Sequence, residues 1–290
     1  MTTGGDVQTD IVDAHHHLWD RSRHPQPWID PQSMGAIDAD FGPADLAAAT
    51  RAAGVTQTVV VQAIHSAAET ADLLDTAANS DLIAGVVGWV DVTADDAPQA
   101  IQKLATGGNL VGIRHVVQNE PDPAFLDRTA VRRAVAATAD AGIVFDLVIR
   151  HHQIPAATRL AADLPQVSFV LDHLGKPPLV DRDLGDWVSD LRAMARLPNV
   201  TAKLSGLATE ADWQSWTRRD VEPAVMHALD VFGPERLMFG SDWPVSLLAT
   251  GYQRWIDVLA ELLSECSESE RRAIWHQTAR RTYRLPPPPA

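Results

Sequence analysis

Eight short runs of apolar, largely β-branched residues punctuate the chain, each separated from the next by room for a helix. They are Ile11–Ala14, Thr58–Gln62, Ile83–Val90, Leu110–Arg114, Ile143–Ile149, Val167–Leu171, Val200–Leu204 and Leu237–Gly240. A run that is apolar on both faces suits a strand covered by helices outside and packed side chains within, as in a parallel sheet. Between the runs the apolar spacing turns helical, as at Leu73, Leu74, Ala77 and Ala78 and again at Ile256, Leu259, Leu262 and Leu263. Gly54 and Gly142 stand after helical runs and before strands, where a left-handed cap is wanted. Pro43, Pro123 and Pro155 fall near expected helix starts, where a missing N–H costs nothing. Eight strands alternating with helices predict an α/β fold of the closed (β/α)8 TIM-barrel kind. An open doubly wound sheet is the alternative, but no Gly-rich turn follows the first strand.

The 290 residues are expected to form one barrel domain over 1–285, with a Pro-rich tail at 286–290. One connection departs from the repeat. Leu18 to Phe41 is long and rich in Pro, Asp and Trp, and leaves the first strand where it would cover the catalytic mouth, with Trp19 and Trp28 in it. The formal charge of −14 and the lack of a basic run argue against nucleic acid. The single cysteine, Cys266, excludes an intrachain disulfide and reads as a packed residue of a helical stretch. Met1 to Asp10 does not read as a signal peptide, and the longest apolar run, Ile83 to Val90, is too short to span a bilayer. The expectation is a cytoplasmic protein, monomer or homodimer, whose partner is a small molecule.

In such a barrel the chemistry sits at the C-terminal strand ends. The first strand runs into Asp13-Ala14-His15-His16-His17, the sixth into Asp172-His173, the eighth into Ser241-Asp242-Trp243-Pro244. Residues two apart on a strand share a face, so His15 and His17 point the same way. Three imidazoles and a carboxylate then converge on the axis, a set that can hold one divalent cation, zinc before others, and leave a position for water. A surface histidine tract and a core histidine at 173 are the bland alternatives. All four residues falling at strand ends favours a site.

The blocks Asp13-Ala14-His15-His16-His17-Leu18-Trp19-Asp20, Gly112-Ile113-Arg114-His115, Phe145-Asp146-Leu147, Leu171-Asp172-His173-Leu174-Gly175-Lys176-Pro177, Lys203-Leu204-Ser205-Gly206-Leu207 and Phe239-Gly240-Ser241-Asp242-Trp243-Pro244 resemble the signatures of the amidohydrolase superfamily. Within it they resemble the amidohydrolase-2 branch, which holds sugar lactonases and 2-pyrone-4,6-dicarboxylate lactonase. The resemblance implies a distorted barrel, hydrolysis, His15, His17, His173 and Asp242 as the metal set, and Asp242 as proton shuttle. The fourth strand ends in Arg114-His115 and offers no lysine for a bridging carbamate. One metal or none is implied, since lactonases of this branch include some that hold substrate with the same histidines alone.

The mechanism expected is attack of water on a lactone carbonyl, with Asp242 as base and then acid and with His173 beside it. A cation, or the histidines with Arg114, would polarise the carbonyl oxygen. Arg114, His115, Arg150 and Trp19 are the candidate substrate-binding residues. Gln62, Trp89, Asp91, Lys203 and Ser205 read equally as pocket wall or barrel packing. Trp187, Trp213, Trp216 and Trp275 read as helix-borne core residues, and the segment Trp275 to Arg281 as a final helix distant from the chemistry. Two other functions compete: a non-oxidative decarboxylase of an aromatic or muconate-type acid, and a silent barrel that only binds.

Overall fold

The computed structural model describes residues 10–287, so most of the N-terminal stretch and the end of the proline tail lie outside the described residues. Eight strands form one sheet: β1 Ile11–His16, β2 Val55–Val61, β3 Ile83–Gly88, β4 Leu110–His115, β5 Val144–Leu147, β6 Phe169–Leu171, β7 Val200–Leu204 and β8 Leu237–Phe239. Each pairs in parallel with the next, in chain order. The sheet closes on itself where β8 meets β1. Across that seam His17 N donates to Trp243 O and Asp242 N to His15 O, both at 2.7 Å.

A helix follows every strand: α1 Pro43–Thr50, α2 Ala67–Ala78, α3 Ala97–Ala105, α4 Thr129–Asp140, α5 Ile154–Asp163, α6 Gly185–Ala195, α7 Arg218–Phe232 and α8 Tyr252–Leu262. Two more, α9 Glu268–Arg272 and α10 Thr278–Tyr283, end the chain, joined by a π-helical turn. Outward strand residues such as Val60, Ile113, Phe145, Leu171 and Phe239 pack beneath this helical layer. Inward ones, among them Val12, Val59, Val144, Val170 and Met238, fill the lumen together with Ala279 and Tyr283 of α10. Each such side chain withdrawn from water contributes on the order of 1.5–3 kcal/mol.

The strand runs agree with the sequence to within a few residues, with β2 starting earlier and β5 and β6 shorter than expected. Gly54 and Gly142 take φ of +71°, as their capping position requires. Pro43 and Pro155 stand in the first turns of α1 and α5. Pro123 does not: it precedes the short 3-10 turn Phe125–Asp127, and α4 begins only at Thr129. Trp213 and Trp216 belong to the loop between β7 and α7, since Asp212 turns the chain there by accepting from Gln214 N and Ser215 N. Cys266, half-buried, lies in a bend between α8 and α9, not in a helix.

Candidate active site

A β-bulge aims the first strand. Asp13 is opposite Thr58 while His16 is opposite Val60, so three steps on β1 match two on β2. Without it His15 would share the face of Asp13. Asp13 instead turns to the helical layer, where it accepts from Tyr252 Oη at 2.8 Å, Ser241 Oγ at 2.6 Å and Ser241 N at 2.8 Å. Burial raises its carboxyl to about 6 against the lowering by those donors. Asp13 thereby ties β1 to the residue before Asp242, and His15 and His17 are left facing the axis.

There the four expected residues meet. Asp242 Oδ1 lies 3.7 Å from His15 Nε2, 3.5 Å from His17 Nε2 and 3.8 Å from His173 Nε2. All four side chains are buried. His173 and Asp242 hold φ of 54° and 57°, a left-handed conformation costly for non-glycine residues and found where a site over-determines it. Gly206 permits this approach: a Cβ there would lie 2.5 Å from His173 Nδ1 and 3.0 Å from Asp242 Oδ2. Burial drives His15 well below the ordinary histidine range, and His173 below it too. Burial raises Asp242, but the imidazoles around it, His173 foremost, outweigh that and leave the carboxyl well below its usual value. With burial holding His15 and His173 toward the neutral form, Asp242 stays ionised beside them and presents a carboxylate oxygen that can accept a proton.

Beneath the four lies a buried ionic layer. Lys203 Nζ is 2.6 Å from Asp146 Oδ2 and 2.9 Å from Asp172 Oδ1. Arg114 Nη1 donates to Asp172 Oδ2 at 3.1 Å, and its Nη2 to the Gln62 carbonyl. Tyr283 donates to Asp146 Oδ2 at 2.8 Å. Burial raises Asp146 to about 6 despite Lys203. For Asp172, burial raises the carboxyl but Lys203, His15 and Arg114 prevail and hold it well below the usual range. Hence α10 is not distant from the chemistry: Tyr283 closes the barrel floor and is joined to His15 through Asp146 and Lys203. A charged residue inside an apolar strand run, as in Phe145-Asp146-Leu147 and Ala202-Lys203-Leu204, is the sequence signal that marks this layer.

The secondary candidates separate. Arg114 faces the axis as expected, though Asp172 and Gln62 occupy its fork. His115 joins another cluster: it bonds Glu120 at 2.7 Å, accepts from Trp89 Nε1 at 3.3 Å and stacks on Phe125, with His65 against it. Arg150 is exposed. Trp19 is buried behind His17, rings 6.4 Å apart, and gives its N–H to Ala39 O at 2.8 Å. The long connection packs down rather than standing off, with Trp19, Ile29 and Ile37 forming a small core of their own.

Among the described residues one group could hold a metal ion, His15, His173 and Asp242, with ligand atoms all within 4.8 Å of one another. Two imidazole nitrogens, a carboxylate oxygen and His17 beside them fit a borderline cation with an open position. Among those same residues no helix is long and apolar enough to cross a membrane.

A closed parallel barrel with paired histidines at the end of β1, a histidine after β6 and an aspartate after β8 defines a barrel hydrolase. The chain belongs to the amidohydrolase family, whose model, described as Amidohydrolase, matches residues 12–285. It is 40% identical over 294 residues to an L-fucono-1,5-lactonase of Burkholderia multivorans, covering 96% of this chain and 97% of that protein. With an L-fucono-1,5-lactonase of Burkholderia ambifaria it shares 39% identity over 238 residues, covering 82% and 81%. A crystal structure of an amidohydrolase from Burkholderia multivorans with bound zinc superposes with a TM-score of 0.90 at 38% identity, covering 95% of this chain and 99% of that one.

Proposed function

We propose that this enzyme hydrolyses the ring ester of a sugar-derived lactone of the L-fucono-1,5-lactone kind. The observation that carries the reading is an ionised carboxylate, Asp242, at the centre of three imidazoles, in a chain 40% identical to a lactonase of that name. Asp242 accepts a proton from water as the oxygen adds to the lactone carbonyl. Imidazole N–H groups of the histidine set meet the carbonyl oxygen as it gains charge. Protonated Asp242 then returns the proton to the departing ring alkoxide, and the ring opens to a hydroxy acid. A zinc ion, when bound, would be held by His15, His173 and Asp242 with His17 beside them, and would supply Lewis-acid polarisation of that carbonyl.

The ionic layer favours a neutral substrate. Arg114 and Lys203, the cations facing the axis, are committed to Asp172 and Asp146, which leaves neither free for a substrate carboxylate. Decarboxylation of an aromatic acid on the same barrel is the weaker reading for that reason. The test is a panel of aldonolactones beside a pyrone dicarboxylate lactone, followed by proton release and by carbon dioxide release, with and without chelator. Proton release on a neutral aldonolactone is expected. Turnover of the dicarboxylate alone, or carbon dioxide as product, would overturn the assignment.

A further inference from the structure

Three hydrogen bonds through the site run in one direction. A carbonyl oxygen only accepts, so His17 Nδ1, 2.7 Å from Val61 O, carries a proton. In a neutral ring this leaves His17 Nε2 as an acceptor. His15 Nε2, 3.3 Å from it, is then the donor, and the lone pair of His15 lies on Nδ1. That lone pair faces Lys203 Nζ at 3.1 Å, and a lysine ammonium has donors only. The carbonyl end and the lysine end therefore assign His15 the same tautomer.

We propose that Lys203 is a positioning residue: it holds the proton of His15 on Nε2, so that His15 meets the substrate carbonyl oxygen as a donor and resists becoming a metal ligand. Lys203 is itself aimed from below, by Asp146 Oδ2 at 2.6 Å and by Tyr283, whose hydroxyl donates to the same oxygen and whose ring centre lies 5.3 Å from Nζ.

The opposite tautomer has its partners too. Asp172 Oδ1 is 3.3 Å from His15 Nδ1 and could accept a proton there, while Arg114 Nη1 is 3.3 Å from Nε2 and could donate. Arg114 Nη1 is engaged elsewhere, donating to Asp172 Oδ2 at 3.1 Å. Asp172 Oδ1 forms an ion pair with Lys203 at 2.9 Å, closer than its approach to His15, but accepts no hydrogen bond, so it is the acceptor toward which the ring proton would move if Lys203 were lost.

A metal-ligating histidine ordinarily gives its far N–H to an acceptor, which fixes the ligating lone pair toward the ion. His17 has that arrangement, with Val61 O as the acceptor. His15 has the reverse, with a cation behind it. Ligation through His15 Nε2 requires the proton to cross the ring to Nδ1, toward Asp172, and the bond from Lys203 to be lost. The inference does not depend on which lactone is opened.

The direct test is the tautomer itself. Long-range proton–nitrogen NMR of the metal-free, histidine-labelled enzyme, with His15 assigned from a His15→Gln variant, is expected to show its proton on Nε2. A proton on Nδ1 in the wild type overturns the proposal. Calorimetric zinc titrations of Lys203→Met and of Lys203→Gln/Asp146→Asn supply the second readout. The double variant keeps the net charge of the buried layer and guards against a single variant that fails to fold. Zinc is expected to bind about tenfold tighter in the variants, on the scale of partners behind a metal ligand, with the His15 proton moved to Nδ1. Unchanged affinity together with an unchanged tautomer removes Lys203 from the role.

Discussion

The upper and lower halves of the barrel lumen are lined by the same eight strands and are different media. Below, Val12, Val59, Val144, Val170 and Met238 close on Ala279 and Tyr283 without a charge among them. Above, two residues further along β5 and just beyond β6, stand Asp146 and Asp172, with Lys203, Arg114, His15 and Asp242 around them. The difference shows how a barrel carries buried charge. Two cations and two anions cancel in one layer, each within 3.1 Å of an opposite partner. An unpaired charge there would cost several kcal/mol. Asp242 is left as the surplus anion among imidazoles, the group to which the proposed mechanism gives the proton transfer. The lower half gives the fold its packing and the upper half holds the proposed site, with Tyr283 the side chain that belongs to both.

The sharpest way to break this division is Asp242→Asn. The amide keeps the shape but takes no proton, so kcat should fall by at least about 10²-fold, with the circular dichroism spectrum and Tm near wild type. Near-normal kcat would place the base elsewhere.

Gly206→Ala comes next. Its Cβ would crowd His173 Nδ1 at 2.5 Å and Asp242 Oδ2 at 3.0 Å, on a backbone already at φ +62°. Displacing both groups by a fraction of an ångström should lower kcat by about 10-fold to 10²-fold. Unchanged kinetics would mean that the close approach is not required.

In the lower half the effect should fall on stability and spare turnover. Val170→Thr sets a hydroxyl in the apolar lumen at nearly the same volume, and should cost about 1–3 kcal/mol in denaturant unfolding with kcat unchanged. A fall in kcat comparable to that of Gly206→Ala would show that the two halves are not separable.

The smallest expected effect is at the rim of the floor, where Arg280 Nη2 and Nη1 each reach Asp10 at 2.7 Å. The Arg280 hydrogen bond, reinforced by Thr56 and opposed by burial, holds the Asp10 carboxyl below its ordinary value of 3.8. A depressed folded-state value means that the folded chain binds the proton less readily than the unfolded one. The stabilisation is therefore present above about pH 3.8 and lost as pH falls through the folded value. Asp10 is partly exposed, so the gain is under about 1 kcal/mol after solvent screening. Asp10→Asn should flatten the acid limb of a Tm-against-pH curve slightly, and an identical limb would show that the pair contributes nothing.

Much of this architecture was legible in the chain before folding. Period-two and unbroken apolar runs mark strands because side-chain direction along a strand is a local property. The same locality placed His15, His17, His173 and Asp242 at strand ends. Locality also misled. The helical reading of Trp213 and Trp216 failed where Asp212 turns the chain, and the expected helix at Pro123 is only a 3-10 turn. Plain alternation from Asp13 sends His15 outward, and only the bulge between β1 and β2 brings it in.

By itself, then, the sequence determined the alternation of strand and helix, and which side chains arrive at the mouth of the barrel. What those side chains are was decided by tertiary structure. The partner of Lys203 at His15 is 188 residues away, and the partner of Tyr283 at Asp146 is 137. No local pattern encodes such pairs. The reason is electrostatic: a buried ionisable group takes its charge, its proton and its tautomer from the few polar atoms within about 3 Å of it. Only the closed barrel chooses which atoms those are.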